Sequence, residues 1–191
     1  MSGEVTNIEA LDQELKGART MRKLAILLII LVAAATTFSQ ETSKPAVPQT
    51  DAKKAFEKLK TLSGSWQGSI MNIPINFTIR PVSSGTAILH EGNTEKGPPD
   101  HEITMFYVED DRLFAVHYCN AGNRARLEGK MSSDGKSIDF SFLDVAGSTK
   151  GGLVKRMVLT FSDANKHVVE MTFIMPNGKP IELRGEFTRT K

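Results

Sequence analysis

The sequence predicts an all-β fold, a single antiparallel up-and-down β-barrel of about 8–10 strands with a short N-terminal helix capping one end. Three observations carry that prediction. From Trp66 onward apolar residues alternate with polar ones, the two-residue period of half-buried strands. Turn-forming residues interrupt the alternation every ~8–12 residues, the spacing of a sandwich or barrel. The connections they mark are short, which favours a meander over a Greek key, and closing a meander removes its exposed edges.

The N-terminal 51 residues stand apart from that pattern. Residues 1–20 form a polar extension of mixed charge. Residues 21–39 have the three parts of a signal peptide: the positive start Met21-Arg22-Lys23, an unbroken apolar run from Leu24 to Ala35, and small residues Thr37 and Ser39 placed for cleavage after Ser39. That run is shorter than the ~20 residues that span a bilayer, which favours a cleaved signal over an anchor. A signal normally opens a chain, so translation is expected to start at Met21; the alternative is an uncleaved tail before a signal anchor. No cysteine follows the run, so no lipid-modified N-terminus is expected. Residues 40–51 read as a flexible linker carrying Pro45 and Pro48.

Residues 52–191 make up the barrel domain, a length that suits one core. Removing residues 1–39 takes away four basic and four acidic side chains, so the balance stays at +2. Such a field gives no reason to expect nucleic-acid binding. Cys119 is the only cysteine and can form no internal disulfide, so stability falls to the core. Its plain reading is a buried strand residue; a reactive thiol would need an electropositive, accessible setting.

Taken in order, Ala52 to Leu62 places Ala55, Phe56, Leu59 and Leu62 on one helical face, with Asp51 as the expected N-cap. Ten strands then follow near 65–71, 73–80, 85–91, 102–109, 112–119, 124–131, 137–143, 153–161, 167–174 and 181–189. The first two also read as one bent strand. Alternation is clearest in Ile73-Ile75-Phe77-Ile79, Ile138-Phe140-Phe142 and Val169-Met171-Phe173. Turns are expected at Ser83-Ser84-Gly85, Asp110-Asp111, Asn120 to Asn123, Asp134-Gly135, Asp163 to Asn165 and Asn177-Gly178. Two connections are longer, Gly92 to His101 and Asp144 to Gly152; at a barrel rim they could form a lid or be plain loops.

The helix-like lead, Gly64-x-Trp66 at the entry to the first strand, the strand meander and a basic residue in the last strand together resemble the calycin superfamily of lipocalin-like and fatty-acid-binding-protein-like barrels. His117-Tyr118-Cys119 with Gly122-Asn123 is also similar to stretches in exported bacterial proteins of this layout. The resemblance implies that Trp66 packs across the closed end beneath Arg184 or Arg189 as a cation–π pair. The central Thr-Asp-x-x-Tyr motif of lipocalins is absent, so no particular ligand carries over.

The densest group of functional side chains is His117, Cys119, Asn120, Asn123, Arg124 and Arg126. On a strand His117 and Cys119 share a face with Leu113 and Ala115, while Phe114, Val116 and Tyr118 form an equally apolar opposite face. Three readings compete for an inward pair: soft-metal ligands, with His90 joining from another strand; nucleophile and base; or a hydrogen-bonded histidine beside a small buried thiol. The chain has no H-x-H, C-x-x-C or H-E-x-x-H, so no metal is expected. Some barrels of this kind bind haem through a histidine, but none of His90, His101, His117 and His167 stands in a haem-ligand motif, and no cofactor is expected. No paired carboxylates suggest acid–base work and no residue is assigned as catalytic; Glu109-Asp110-Asp111 reads as a turn. Met71, Met105, Met157 and Met171 read as core filler that would also suit an adaptable apolar cavity. Asn76-Phe77-Thr78 matches a glycosylation acceptor inside a strand pattern.

The expected function is that of an exported, periplasmic or extracellular barrel binding a small, mainly hydrophobic molecule in its interior. His117, Tyr118, Asn123 and Arg124 are the expected ligand-binding residues. No membrane partner is expected after signal cleavage. A non-enzymatic envelope or interaction domain with a solid core is the alternative. A small hydrolase or isomerase using His117 and Cys119 is the third reading.

Overall fold

A computed structural model describes residues 49–94 and 102–190. The expected extension, the expected signal peptide and most of the expected linker lie outside the described residues, as does most of the Gly92–His101 connection.

Helix α1, Asp51–Lys60, starts one residue earlier than the sequence suggests. Thr50, in extended conformation, is its N-cap, and its hydroxyl oxygen accepts a 3.4 Å hydrogen bond from the Lys53 amide. Asp51 is instead the first helical residue, where its charge complements the helix dipole and meets Lys54 at 3.0 Å. The helix buries Ala55, Phe56 and Leu59, and Leu62 in the following turn is also buried.

Ten antiparallel strands close into one barrel: β1 Gly64–Ile70, β2 Ile73–Val82, β3 Ala87–Thr94, β4 Glu102–Glu109, β5 Arg112–Cys119, β6 Asn123–Met131, β7 Ser137–Gly147, β8 Leu153–Asp163, β9 Lys166–Ile174 and β10 Pro180–Arg189. Neighbours in sequence pair in space, and β1 closes the ring on β10 by aligning Trp66 with Arg189. β1 and β2 are separate strands rather than one bent strand. Met71 and Asn72 both take positive φ, 51° and 63°, which reverses the chain in two residues. Asp110 and Asp111 do the same between β4 and β5. β7 continues to Gly147, past a register shift opposite Arg126 and Leu127, so the Asp144–Gly152 connection shrinks to residues 148–152.

Glycine positions are set by ring volume at two points. A Cβ on Gly68 would lie 2.2 Å from the Glu186 carbonyl oxygen and 2.5 Å from the Phe187 ring. On Gly129 it would lie 2.6 Å from the Phe140 ring. The two large aromatics therefore reach the barrel interior only where their neighbours lack side chains.

The α1 end of the barrel is solid. Leu59, Leu62, Ile79, Ile88, Phe106, Leu127 and Phe140 belong to one core cluster. Trp66 is buried within it, and its indole N–H donates to the Leu62 carbonyl at 2.8 Å. The Arg189 guanidinium stands 4.3 Å from the Trp66 ring centroid. It also donates to the carbonyls of Thr61, Ser63 and Ala164. Of the two arginines the family resemblance offered, Arg189 meets Trp66, whereas Arg184 lies in an exposed ladder with Glu170 and Glu186.

β5 shows how the barrel resolves two apolar faces. Leu113, Ala115 and His117 point inward and are buried. Phe114 points outward yet is only 3% exposed, because Arg112 and Arg126 lie over its ring at 4.9 and 5.6 Å and Tyr107 stacks at 5.5 Å.

Candidate functional site

Strand alternation brings three inward residues into one row across β3, β4 and β5. His90 is the register partner of Thr104, and Thr104 of His117. Above the solid layer these residues border a cavity of about 260 Å³. Its other walls are apolar: Ile70 and Ile75, Phe77 and Phe187, Met157, Leu159, Val169 and Met171. Glu102 and Asn120 complete the polar strip.

Within that strip His117 Nδ1 and Thr104 Oγ1 are 3.0 Å apart. His117 Nε2 lies 3.9 Å from a Glu102 carboxylate oxygen. The Cys119 thiol points at the other Glu102 oxygen at 3.8 Å and accepts from the Ala121 amide at 3.4 Å. The donor atoms of Glu102, His117 and Cys119 all lie within 4.8 Å of one another.

The electrostatics favour neutral groups. Burial, with help from His117 and His167, holds His90 down to about 4. Burial also lowers His117, opposed by the Glu102 charge. Burial raises the Cys119 thiol, and the nearby Glu102 carboxylate adds to the effect. A neutral imidazole beside a protonated thiol lacks the ion pair that activates a cysteine nucleophile.

The residues singled out in the sequence separate here. His117 lines the cavity. Tyr118 and Arg124 are register partners on the outer face, both exposed, since each is one residue out of phase with the inward set. Asn123 is buried, and its amide nitrogen donates to the Ser148 and Gly152 carbonyls at 3.0 and 2.8 Å, tying down the β7–β8 connection. Of the four histidines, His90 and His117 reach the cavity, while His167 lies in the floor, its ring 4.2 Å from that of Trp66. His101 lies outside the described residues.

Glu102 and Thr104 were not anticipated. The signal for them is the tight turn at Asp110-Asp111: counting outward from it places Thr104 opposite His117. Met157 and Met171 belong to the cavity wall, Met71 is exposed at a turn, and Met105 is only partly buried.

No family model matches the chain, and no curated protein matches its sequence. Among solved structures, Rv2717c from M. tuberculosis superposes with a TM-score of 0.56 at 14% identity, over 72% of this chain and 98% of that one. The likeness is one of fold. A redesigned β-barrel is similar at TM-score 0.37 and 14% identity, over 76% of this chain and 100% of its own. The barrel EF1p2_mFAP2b bound to DFHBI is similar at 0.33 and 12% identity, over 75% of this chain and 100% of that one.

Proposed function

We propose that this chain is an exported β-barrel that binds a small, mainly apolar molecule in its interior, with His117 and Thr104 orienting the polar end of that molecule. The cavity of about 260 Å³ carries the reading, because its apolar walls face one polar strip. Small-molecule sites combine those two features: area for affinity, a few placed polar groups for orientation. The volume falls slightly below the ~300–1,000 Å³ of drug-sized pockets, which points to a compact occupant. A solid-core interaction domain would have no such space. Export rests on residues 21–39, and the mature chain is then expected to begin at Gln40.

The test is native mass spectrometry of protein purified from its own cell envelope. Wild-type protein should carry a small molecule that Met171→Trp, which fills the cavity from β9, does not retain. Wild-type protein without a co-purifying molecule, or an unchanged load in the variant, would count against the reading. N-terminal sequencing of the same material reads the cleavage site.

A further inference from the structure

We propose that Glu102, His117 and Cys119 form a three-ligand zinc site in the cavity wall, with the fourth coordination position open toward the cavity. Among the described residues this is the one group of three or more metal-capable side chains whose donor atoms converge. Tetrahedral zinc with bonds of ~2.0–2.3 Å sets its ligand atoms roughly 3.4–3.6 Å apart. Here one Glu102 oxygen lies 3.9 Å from the imidazole nitrogen, the other lies 3.8 Å from the sulfur, and the three donor atoms all fall within 4.8 Å, so side-chain rotations of about an ångström close the triad.

Two further contacts match what a metal requires. Thr104 Oγ1 lies 3.0 Å from His117 Nδ1, so when zinc takes the Nε2 lone pair the hydroxyl is placed to accept the proton that Nδ1 then carries. Outer-shell partners of that kind orient ligating histidines in metal sites. The Ala121 amide donates to Cys119 Sγ, a bond that favours the thiolate a metal needs. Among the described residues no lysine or arginine pairs with Glu102, which leaves its charge for a cation.

The donor set selects the metal class. One sulfur, one imidazole nitrogen and one carboxylate oxygen suit Zn²⁺, whereas Mg²⁺ and Ca²⁺ prefer oxygen alone. His117 and Cys119 lie two apart on β5, but Glu102 joins them from β4, so the full set forms no continuous sequence motif. On binding, the Cys119 thiol gives up its proton to solvent and its sulfur bonds to the metal.

Tag-free full-length protein, stripped of metal under reducing conditions, is titrated with Zn²⁺ against a chromophoric chelator and separately with Co²⁺. One Zn²⁺ per chain and a thiolate-to-Co²⁺ charge-transfer absorption are expected. Cys119→Ser should abolish that absorption and weaken zinc binding about 100-fold. Glu102→Gln and Thr104→Val should each weaken it about 10-fold, the latter without touching the metal. Glu102 and Cys119 are only partly buried, so their variants retain the barrel, and Glu102→Gln decides the case if Cys119→Ser unfolds. No Co²⁺ absorption in the wild type, or wild-type zinc affinity in a folded Cys119→Ser or Glu102→Gln, overturns the proposal. The titration uses the metal alone, so its outcome is independent of whether a small molecule co-purifies.

Discussion

Arg189 and Trp66 close the barrel floor as a pair: the guanidinium lies 4.3 Å from the indole ring while donating to backbone carbonyls of the α1–β1 turn and the β8–β9 turn. One cation thus joins the first strand, the last strand and the turn that follows the helix. The indole is buried beneath it, and its own N–H is satisfied by Leu62.

Removing that cation should cost more than a surface charge would. Arg189→Ala loses a cation–π contact worth ~0.5–2 kcal/mol and leaves carbonyl groups without their charged donor. A loss of about 2–4 kcal/mol in urea unfolding is expected. Arg189→Lys should recover only part of it, because one ammonium cannot reproduce the fork. A change below ~0.5 kcal/mol for the alanine variant would show that the floor holds without the pair.

Gly68 is predicted to be intolerant of even one methyl group. Part of the clash is with a backbone oxygen, 2.2 Å from the added Cβ, which no side-chain rotation relieves. Gly68→Ala should therefore destabilise by about 1–3 kcal/mol or more. Gly178→Ala, where a Cβ meets nothing within 4 Å but φ is +81°, isolates backbone strain from steric overlap. Thermal unfolding of both variants makes the comparison, and equal losses would contradict the steric account.

His167 gives the fold an acid sensitivity. Among the described residues its ring nitrogens have no hydrogen-bond partner, and burial together with the Arg189 charge lowers it from 6.5 to about 4. Above pH ~6.5 it is neutral whether the chain is folded or not, and contributes no pH dependence. Between 6.5 and 4 the unfolded chain takes up the proton and the folded chain does not. Stability then falls by at most ~1.4 kcal/mol per pH unit from this group, and His90, also held to about 4, adds its own share. His167→Phe should be nearly neutral at pH 7 and should flatten the decline between pH 6.5 and 4.5. Urea midpoints at the two pH values test this; an unchanged slope would remove His167 from the account.

Asn123 is predicted to act on a loop rather than on a ligand. Its amide nitrogen holds the Ser148 and Gly152 carbonyls, so Asn123→Ala should cost ~1–3 kcal/mol and speed hydrogen exchange in residues 148–152. Asn123→Asp should cost more, since it sets a carboxylate oxygen against two carbonyls. Faster exchange spread evenly over the barrel, instead of at that connection, would contradict the assignment.

The strand series was legible to within a few residues because alternation and turn chemistry act locally. The Asp110-Asp111 turn and the Ile73–Ile79 run place β5 and β2 almost unaided. The N-cap was misplaced by one residue because Asp51 and Thr50 both have capping side chains and only the backbone conformation chooses between them. The candidate site was less legible. Its convergence depends on registers between separate strands, and its phase on β5 could not be chosen while Phe114 and Leu113 looked equally suited to a core. Arg112 on β5 and Arg126 on β6, flanking Phe114 from either side, decided it by covering that ring from outside.

By itself the sequence determined the all-β meander and the helix that precedes it, since period, turns and capping are properties of short stretches, while the place of Trp66 at the closed end came from a family resemblance. Only the tertiary structure decided which arginine covers Trp66, and which wall of the cavity carries Glu102, Thr104 and His117 together. Those relations join residues on different strands, and they come into being when β1 meets β10 and the ring closes.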